Sequence, residues 1–414
     1  MKESNHKYVL LVRSGYPSKE QVLKRLQDLG YYVIILDSKK NCPDGLVDDW
    51  IIADLSDNSA CIRAIESYLS HKEHRIDGAL TFWEEVVTLT AEITERFGWV
   101  GIPKKTAEEI KNKYFFRQAC ERNNLPVPHH AVLSSEADLI SIQENLKFPL
   151  VIKPVYGAAS AFVVKVDSIE ELREEYETIK KHIESFWLAP EWINTNVFVE
   201  EYIDGQEVDI DILLQDGEIK FFSITDNFQT NEPYFVETGQ AAPSSLSKEK
   251  QDALIYMASK VLKVLNVGNG CIHFEAKSSS KGPVPIEINL RMGGDEVYSF
   301  IKHAWGVDLV DYAVLIALGE KISVHKPETP NLYLEGRYFL PQKEGKIVDI
   351  DIDDEAKKSN GVLEVHISKK KDEAVYMPPR DFDYLGWITA KGESAQSAHS
   401  NLESNYPKVS FVIS

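Results

Sequence analysis

The chain has 414 residues, enough to bury a large core and to form two to three domains or lobes. Its 43% hydrophobic and 27% charged residues suit an ordinary soluble globular protein. The net charge of −19 argues against nucleic acid or an anionic membrane as the main partner, while a local cationic cluster can still hold an anionic ligand.

The four cysteines, Cys42, Cys61, Cys120 and Cys271, have no CxxC spacing, which predicts reduced thiols. The polar opening MKESNHK and the lack of a long apolar run predict a cytoplasmic protein. In chain order, residues 8–12 are an apolar run ending in Arg13-Ser14-Gly15. Residues 18–29 have helical periodicity with Gly30 as a stop, and residues 31–36 are a second buried run. Strand candidates at 50–53 and 79–82 flank a helix at 59–70, which predicts a parallel α/β sheet over this first region. No GxGxxG follows the first strand, so a dinucleotide-binding reading is weak. After Phe82, Trp83-Glu84-Glu85 opens a helix with Val86, Leu89, Ile93 and Phe97 at one-turn spacing. Glu84 therefore falls at a strand's carboxyl end, where open α/β sheets hold ligands. It is a candidate partner for a substrate amine, and equally for the dipole of the helix it opens.

A single helix is expected from Thr106 to Asn124, with Lys113 and Arg117 on its polar side, ending before Leu125-Pro126-Val127-Pro128, a boundary signal. Residues 148–161, FPLVIKPVYGAASA, place Lys153 inside an apolar run beside a loop of small residues. A lysine in a buried strand must find an anion or lose heavily in desolvation, and small residues let backbone N–H groups approach a phosphate. The other reading is a snorkelling surface lysine beside a hairpin turn. Residues 168–184 read as a solvated linking helix. The run FVEEYIDGQEVDIDILL, 198–214, breaks at Ile203-Asp204-Gly205 and then alternates, putting Glu207, Asp209 and Asp211 on one face. Asp216-Gly217 is a hairpin turn into a strand at 219–224. A loop expected at 225–245 has the length of a functional segment, and residues 248–265 form an amphipathic helix.

The stretch GCIHFEAKSSSKGPVPIEINLRMGGD, 270–295, reads as a hairpin with its turn at 278–282. Strand periodicity puts Cys271, His273 and Glu275 on one face. Symmetric pairing sets Glu275 opposite Glu287 and His273 opposite Asn289, with Arg291 following on the same face. Like charges facing each other on a sheet are destabilising, so this pair calls for a cation, and hard oxygen ligands suit Mg²⁺. A solvated polar face is the alternative. Residues 297–318 read as a helix interrupted by Gly306, and runs at 333–340, 362–367 and 387–390 predict a small antiparallel C-terminal lobe without a catalytic constellation.

The order Lys113, Lys153 before a small-residue loop, EEYIDGQE at 200–207, FEAK at 274–277 and EINLRMGGD at 287–295 resembles the ATP-grasp superfamily. Within it, the pattern is similar to carboxylate–amine ligases that include the L-amino-acid ligases making dipeptides. The resemblance covers nearly the whole chain and implies an α/β and α+β architecture. That comprises a parallel α/β pre-ATP-grasp lobe over 1–103, a small ATP-grasp lobe over 104–190, a large lobe over 191–325 and a C-terminal antiparallel lobe over 326–414. It implies ATP with two Mg²⁺ ions, Mn²⁺ standing in for them, and small amino-acid substrates, with no nucleic acid and no membrane; a homodimer is left open.

Residue by residue, the resemblance implies that Lys113 and Lys153 touch phosphates under the loop of Gly157 and Ser160. Glu200, Glu201 and Ile203 would form the adenine hinge, and Glu207 would bind the ribose. Glu275, Glu287 and Asn289 would hold the metal, and Arg291 would stabilise an acyl-phosphate. His273, Thr238, Gly239, Gly293, Gly294 and Asp295 would border the amino-acid pocket together with Glu84. Ala158 and Ala159 depart from the more glycine-rich loops of relatives. The implied reaction joins a carboxylate to an amine with release of ADP and phosphate. The alternatives are a purine- or cofactor-pathway ligase with a non-amino-acid acceptor, and a catalytically silent nucleotide-binding protein, which would have no need of facing carboxylates.

Overall fold

The computed structural model describes residues 6–71, 73, 75–157, 160–182, 197–378 and 383–414, with the side chains of residues 295 and 296 left aside. Strands β1 (Tyr8–Val12), β2 (Tyr32–Asp37), β3 (Asp49–Ile52) and β4 (Gly78–Leu80) form a parallel sheet in the order β3-β2-β1-β4. β1 and β2 are near-continuous apolar runs because both sheet faces are covered. Leu10, Val12, Ile34 and Leu36 pack against Cys61, Ile65, Leu89 and Ile93 of the helices Asn58–Leu69 and Val87–Phe97. Val9, Leu11, Val33 and Ile35 meet Val22, Leu23 and Leu26 of the helix Glu20–Asp28 and residues of the helix Leu309–Ala317. The sheet order reverses between β1 and β4, and the segment after β4 carries Phe82, Trp83 and Glu84 to a central cavity.

The single helix expected over 106–124 is two helices, Lys104–Lys111 and Lys113–Arg122, broken at Asn112. Asn112 leaves helical geometry (φ −89°, ψ 106°), and its side chain accepts a hydrogen bond from the Phe115 N–H at 2.9 Å, an N-cap in mid-pattern. The break re-aims the second helix, so Lys113 and Arg117, one turn apart, face inward. Arg117 is 1% exposed. Periodicity alone had placed both on the polar side, because a cap residue inside an amphipathic run does not interrupt the apolar pattern.

Strands β5 (His130–Leu133), β6 (Leu150–Pro154), β7 (Val164–Val166) and β8 (Val197–Glu201) form an antiparallel sheet in the order β5-β8-β6-β7. The helix Ile169–His182 is not a solvated link. Its Leu172, Tyr176 and Ile179, at helical spacing, pack with Leu139 and Ile142 onto this sheet.

The largest sheet collects β9 (Gln206–Gln215), β10 (Glu218–Asn227), β11 (Gly239–Ala242), β12 (Gly270–Ser279), β13 (Gly282–Asn289), β14 (Tyr333–Phe339), β16 (Val362–Ile367) and β18 (Gly386–Gly392). With β15 (Gly345–Ile352), β17 (Ala374–Val375) and β19 (Val409–Ile413) in a separate sheet, the orders are β13-β12-β9-β10-β11-β14-β18-β16 and β17-β15-β19. The irregular loop expected at 225–245 is shorter, because β10 runs to Asn227 and β11 pairs with both β10 and β14. The C-terminal strands β14, β18 and β16 continue the central sheet, so this lobe shares its floor with the site. One face of β9 and β12, with Val208, Ile210, Ile212, Ile272 and Phe274, packs under the helix Lys248–Val264 through Leu254, Met257, Ala258 and Val261. Burying each such side chain contributes about 1.5–3 kcal/mol. The opposite face carries the polar residues described below. Among the described residues, no helix is long and apolar enough to cross a membrane.

Candidate active site

The hairpin of β12 and β13 has the register that symmetric pairing predicts: Glu275 opposite Glu287, and His273 opposite Asn289. β9 pairs on the other side of β12, so Asp209 lies beside Glu275 and Asp211 beside His273. These groups share the sheet face that floors a cavity of about 380 Å³ between the lobes.

Of the facing pair, Glu287 keeps its charge. Burial works to raise it, but Lys113 Nζ at 3.0 Å from both carboxylate oxygens holds it below its ordinary value. Glu275 is pushed up to about 8 by burial and by Glu287, and the Asn289 amide donates to it at 2.9 Å. Removing that conflict takes a cation between the carboxylates, so the donor set fits a hard divalent ion. Among the described residues there is no cluster of three or more His, Cys, Asp or Glu arranged to hold a metal. The pair therefore suits an ion that takes its remaining ligands from phosphate and water, as Mg²⁺ does.

Lys153 has found its anion inside the protein. Its Nζ lies 2.5 Å from Glu200 Oε1, and Arg117 donates to the same carboxylate from Nε (2.7 Å) and Nη2 (3.2 Å), with Nη1 on the Pro285 carbonyl. Burial works to raise Glu200, but Arg117 and Lys153 prevail and hold it at about 2. The Glu200 carboxylate is thus turned inward and positions Lys153, while Glu201, Ile203 and Glu207 line the cavity on the same side. Lys277 Nζ donates to the Ile203 carbonyl at 3.2 Å and stands 3.6 Å from Glu207. Lys113 also donates to the Gly157 carbonyl at 3.2 Å, and Gly157 and Ser160 line the cavity; Ala158 and Ala159 between them lie outside the described residues.

At the other end, Arg291 Nε is 3.0 Å from Glu84 Oε2, and Lys111 Nζ donates to Glu84 Oε1 at 2.7 Å. Glu84 is 8% exposed. Capping the helix it opens is therefore not its main engagement; two cations hold it at the cavity wall. His273 sits among Asp211 (3.1 Å), Asp209 (3.9 Å) and Glu275 (3.9 Å). Burial would lower its pKa, but Asp211 and Asp209 outweigh burial and raise it to about 10, so it is an imidazolium. The Gly293 N–H donates to Asp211 Oδ1 at 3.1 Å, and a Cβ there would lie 2.9 Å from both Asp211 and His273, which requires glycine.

Of the amino-acid-pocket residues expected from sequence, Glu84, His273 and Gly294 line the cavity. Gly293 lies behind His273, and the Asp295 side chain is outside the described ones. Thr238 and Gly239 are not among the described lining residues. The Thr238 hydroxyl donates to the Gln229 carbonyl, and Gly239 is pressed to 2.4 Å (from its would-be Cβ) against the Gly336 carbonyl of β14. Their neighbours Glu237, ahead of β11, and Gln240, on β11, line the cavity instead. Gln240 Nε2 donates to Asp209 (3.1 Å) and Asn227 (3.0 Å). Sequence reasoning also missed Tyr338 and Tyr384, which reach the cavity from the C-terminal strands and the segment before β18; no local motif marks them.

Residues 146–299 match the family described as ATP-grasp domain. Residues 146–299 are thus similar to an ATP-grasp domain, and they sit within a mixed α/β chain of that fold. Residues 337–414 match the family described as L-amino acid ligase C-terminal domain 2. Carnosine synthase 1 of Gallus gallus is 27% identical over 356 residues, covering 82% of this chain and 38% of the relative. The L-arginine-specific L-amino acid ligase of Bacillus subtilis is 21% identical over 388 residues, covering 89% of this chain and 88% of the relative. The chain thus spans well under half the length of the carnosine synthase it matches. The crystal structure of an L-amino acid ligase from Bacillus licheniformis superposes with a TM-score of 0.86 at 23% identity, over 99% of this chain and 100% of that one, which shows the shared fold.

Proposed function

We propose that the chain is an ATP-dependent ligase that joins the carboxylate of one amino acid to the amine of another, releasing ADP and phosphate. The carrying observation is convergence on one cavity: Lys113 and Lys153 at one end, the facing Glu275 and Glu287 in the middle, and Arg291 at the other. Related proteins named as carnosine synthase and L-arginine-specific L-amino acid ligase support amino acids as substrates.

In this reading Lys113 and Lys153 bind the triphosphate beneath the segment of Gly157 and Ser160, while Glu201 and Ile203 flank the base and Glu207 meets the ribose. Glu275, Glu287 and Asn289 would hold Mg²⁺, which supplies charge neutralisation for the phosphates. Arg291 is a fixed cation placed where charge develops on the acyl-phosphate and on the adduct with the amine. Glu84 orients Arg291, and the carboxylates of Asp209 and Glu237 offer the acidic surroundings an ammonium group needs.

The test is phosphate release from Mg·ATP across amino acids given singly and in pairs. Pair-dependent release above the ATP-only rate is expected; its absence for every pair sinks the reading. Arg291→Ala should bind nucleotide within about twofold of wild type and lose product by about 10²–10³-fold; equal loss of both refutes its role.

A further inference from the structure

Beyond Arg291 the site's floor continues into a second cavity. Along β12, Glu275, His273 and Cys271 follow one another on one face at steps of about 7 Å, so the floor runs from the facing carboxylates to a buried thiol. Cys271 lines a separate cavity of about 80 Å³ walled by Leu80, Val87, Ala91, Ile102, Leu290 and Ile316. Phe82 and Arg291 line both cavities and form the partition between them. Arg291 is held in that partition by Glu84 and by its own Nη1 hydrogen bond to the Met292 carbonyl at 2.8 Å.

The hydroxyls on the wall are turned away from the space. Thr81 donates to the Val12 carbonyl, Thr90 to Val86 and Thr94 to Ala91, so that apart from Asn269, the Cys271 thiol and Arg291 the lining is mostly methyl and methylene groups. A close-packed interior leaves few voids larger than a water molecule, and an apolar one stays dry unless an apolar group fills it.

We propose that this cavity is the side-chain pocket for the amino acid whose carboxylate is activated, and that it takes an aliphatic side chain of about the size of valine to leucine. The inference rests on the ligase reading above and names its acid substrate class. With the carboxylate held at Arg291 on the cleft side, a side chain passing Phe82 enters a space whose described lining carries no charged side chain other than Arg291 itself. The acceptor amine keeps the acidic side of the cleft.

Hydroxylamine separates acid choice from the unknown acceptor. Its nitrogen attacks the acyl carbon, the bond to the phosphate oxygen breaks, phosphate leaves, and a proton is lost from nitrogen to give a hydroxamate. Hydroxamate formation with Mg·ATP is measured for glycine, alanine, valine, leucine and aspartate in wild type, Ala91→Leu and Ala313→Leu. The two substitutions fill the cavity from different helices, and the glycine rate reports that each variant is folded. The expected result is a preference for valine and leucine in wild type that falls about tenfold or more relative to glycine in both variants. An unchanged valine-to-glycine ratio in a variant active on glycine marks the cavity as a packing void and overturns the proposal. If wild type forms no hydroxamate from any amino acid, the ligase reading itself fails and the pocket falls with it.

Discussion

Arg117, Lys153 and Glu200 are all 5% exposed or less, and two cations share one carboxylate. Such a group is costly to break, because removing one member leaves the others buried and uncompensated, at about 3–5 kcal/mol. Glu200→Gln should therefore destabilise the protein by roughly that amount at neutral pH, measured by urea unfolding. The pH dependence has a definite sign. Glu200 is held at about 2 against an ordinary 4.5, so its contribution is complete above pH 4.5 and is lost as pH falls toward 2. The gap between wild type and variant should close over that window; a gap that stays constant there contradicts the ion triad. At this scale the sequence was legible where chemistry is local. Lys153 in an apolar strand demanded an anion, and the structure supplies one. That the anion is Glu200, with Arg117 as third member, could not be read, because the three come from separate strands and a helix and meet only through tertiary packing.

At the scale of elements, the break at Asn112 matters most for the site. It turns a continuous amphipathic pattern into two helices and brings Lys113 to the cavity, 3.0 Å from Glu287. Asn112→Ala removes the cap and should cost about 1 kcal/mol of stability. It should also weaken ATP binding several-fold, because Lys113 is the first residue of the helix that the cap starts. Thermal unfolding and nucleotide titration check both; a stability loss with unchanged ATP affinity would separate the cap from the site. The facing pairs Glu275–Glu287 and His273–Asn289 were legible from the strand period, whereas the one-residue register shift between Glu275 and Ala276, nearer the turn, was not. The pairing of β11 between β10 and β14 was not, since β11 has four residues and its second partner lies more than ninety positions on. The resemblance had put Thr238 and Gly239 at the cavity; with Gly239 packed against β14, Gln240 lines it instead.

At the scale of the molecule, three sheets meet around one cavity: the parallel sheet contributes Glu84, the β5–β8 sheet Lys153, and the central sheet the carboxylates and Arg291. The order of motifs along the chain made this architecture legible, since Lys153 and EEYI fall on paired strands of one sheet, β6 and β8, and FEAK and EIN on paired strands of another, β12 and β13. The continuation of the central sheet into the C-terminal strands was hidden, because alternation in β14, β16 and β18 says which face is buried and not which sheet they join.

In the proposed reaction this cavity transfers a phosphoryl group from ATP to an amino-acid carboxylate before the amine attacks. Amino acids labelled with heavy oxygen in the carboxylate, supplied with Mg·ATP and an acceptor amine, test it directly by mass spectrometry of the released phosphate. An acyl-phosphate route predicts phosphate carrying one heavy oxygen from the acid, in amounts equal to the amide formed. Amide formed with unlabelled phosphate would contradict it.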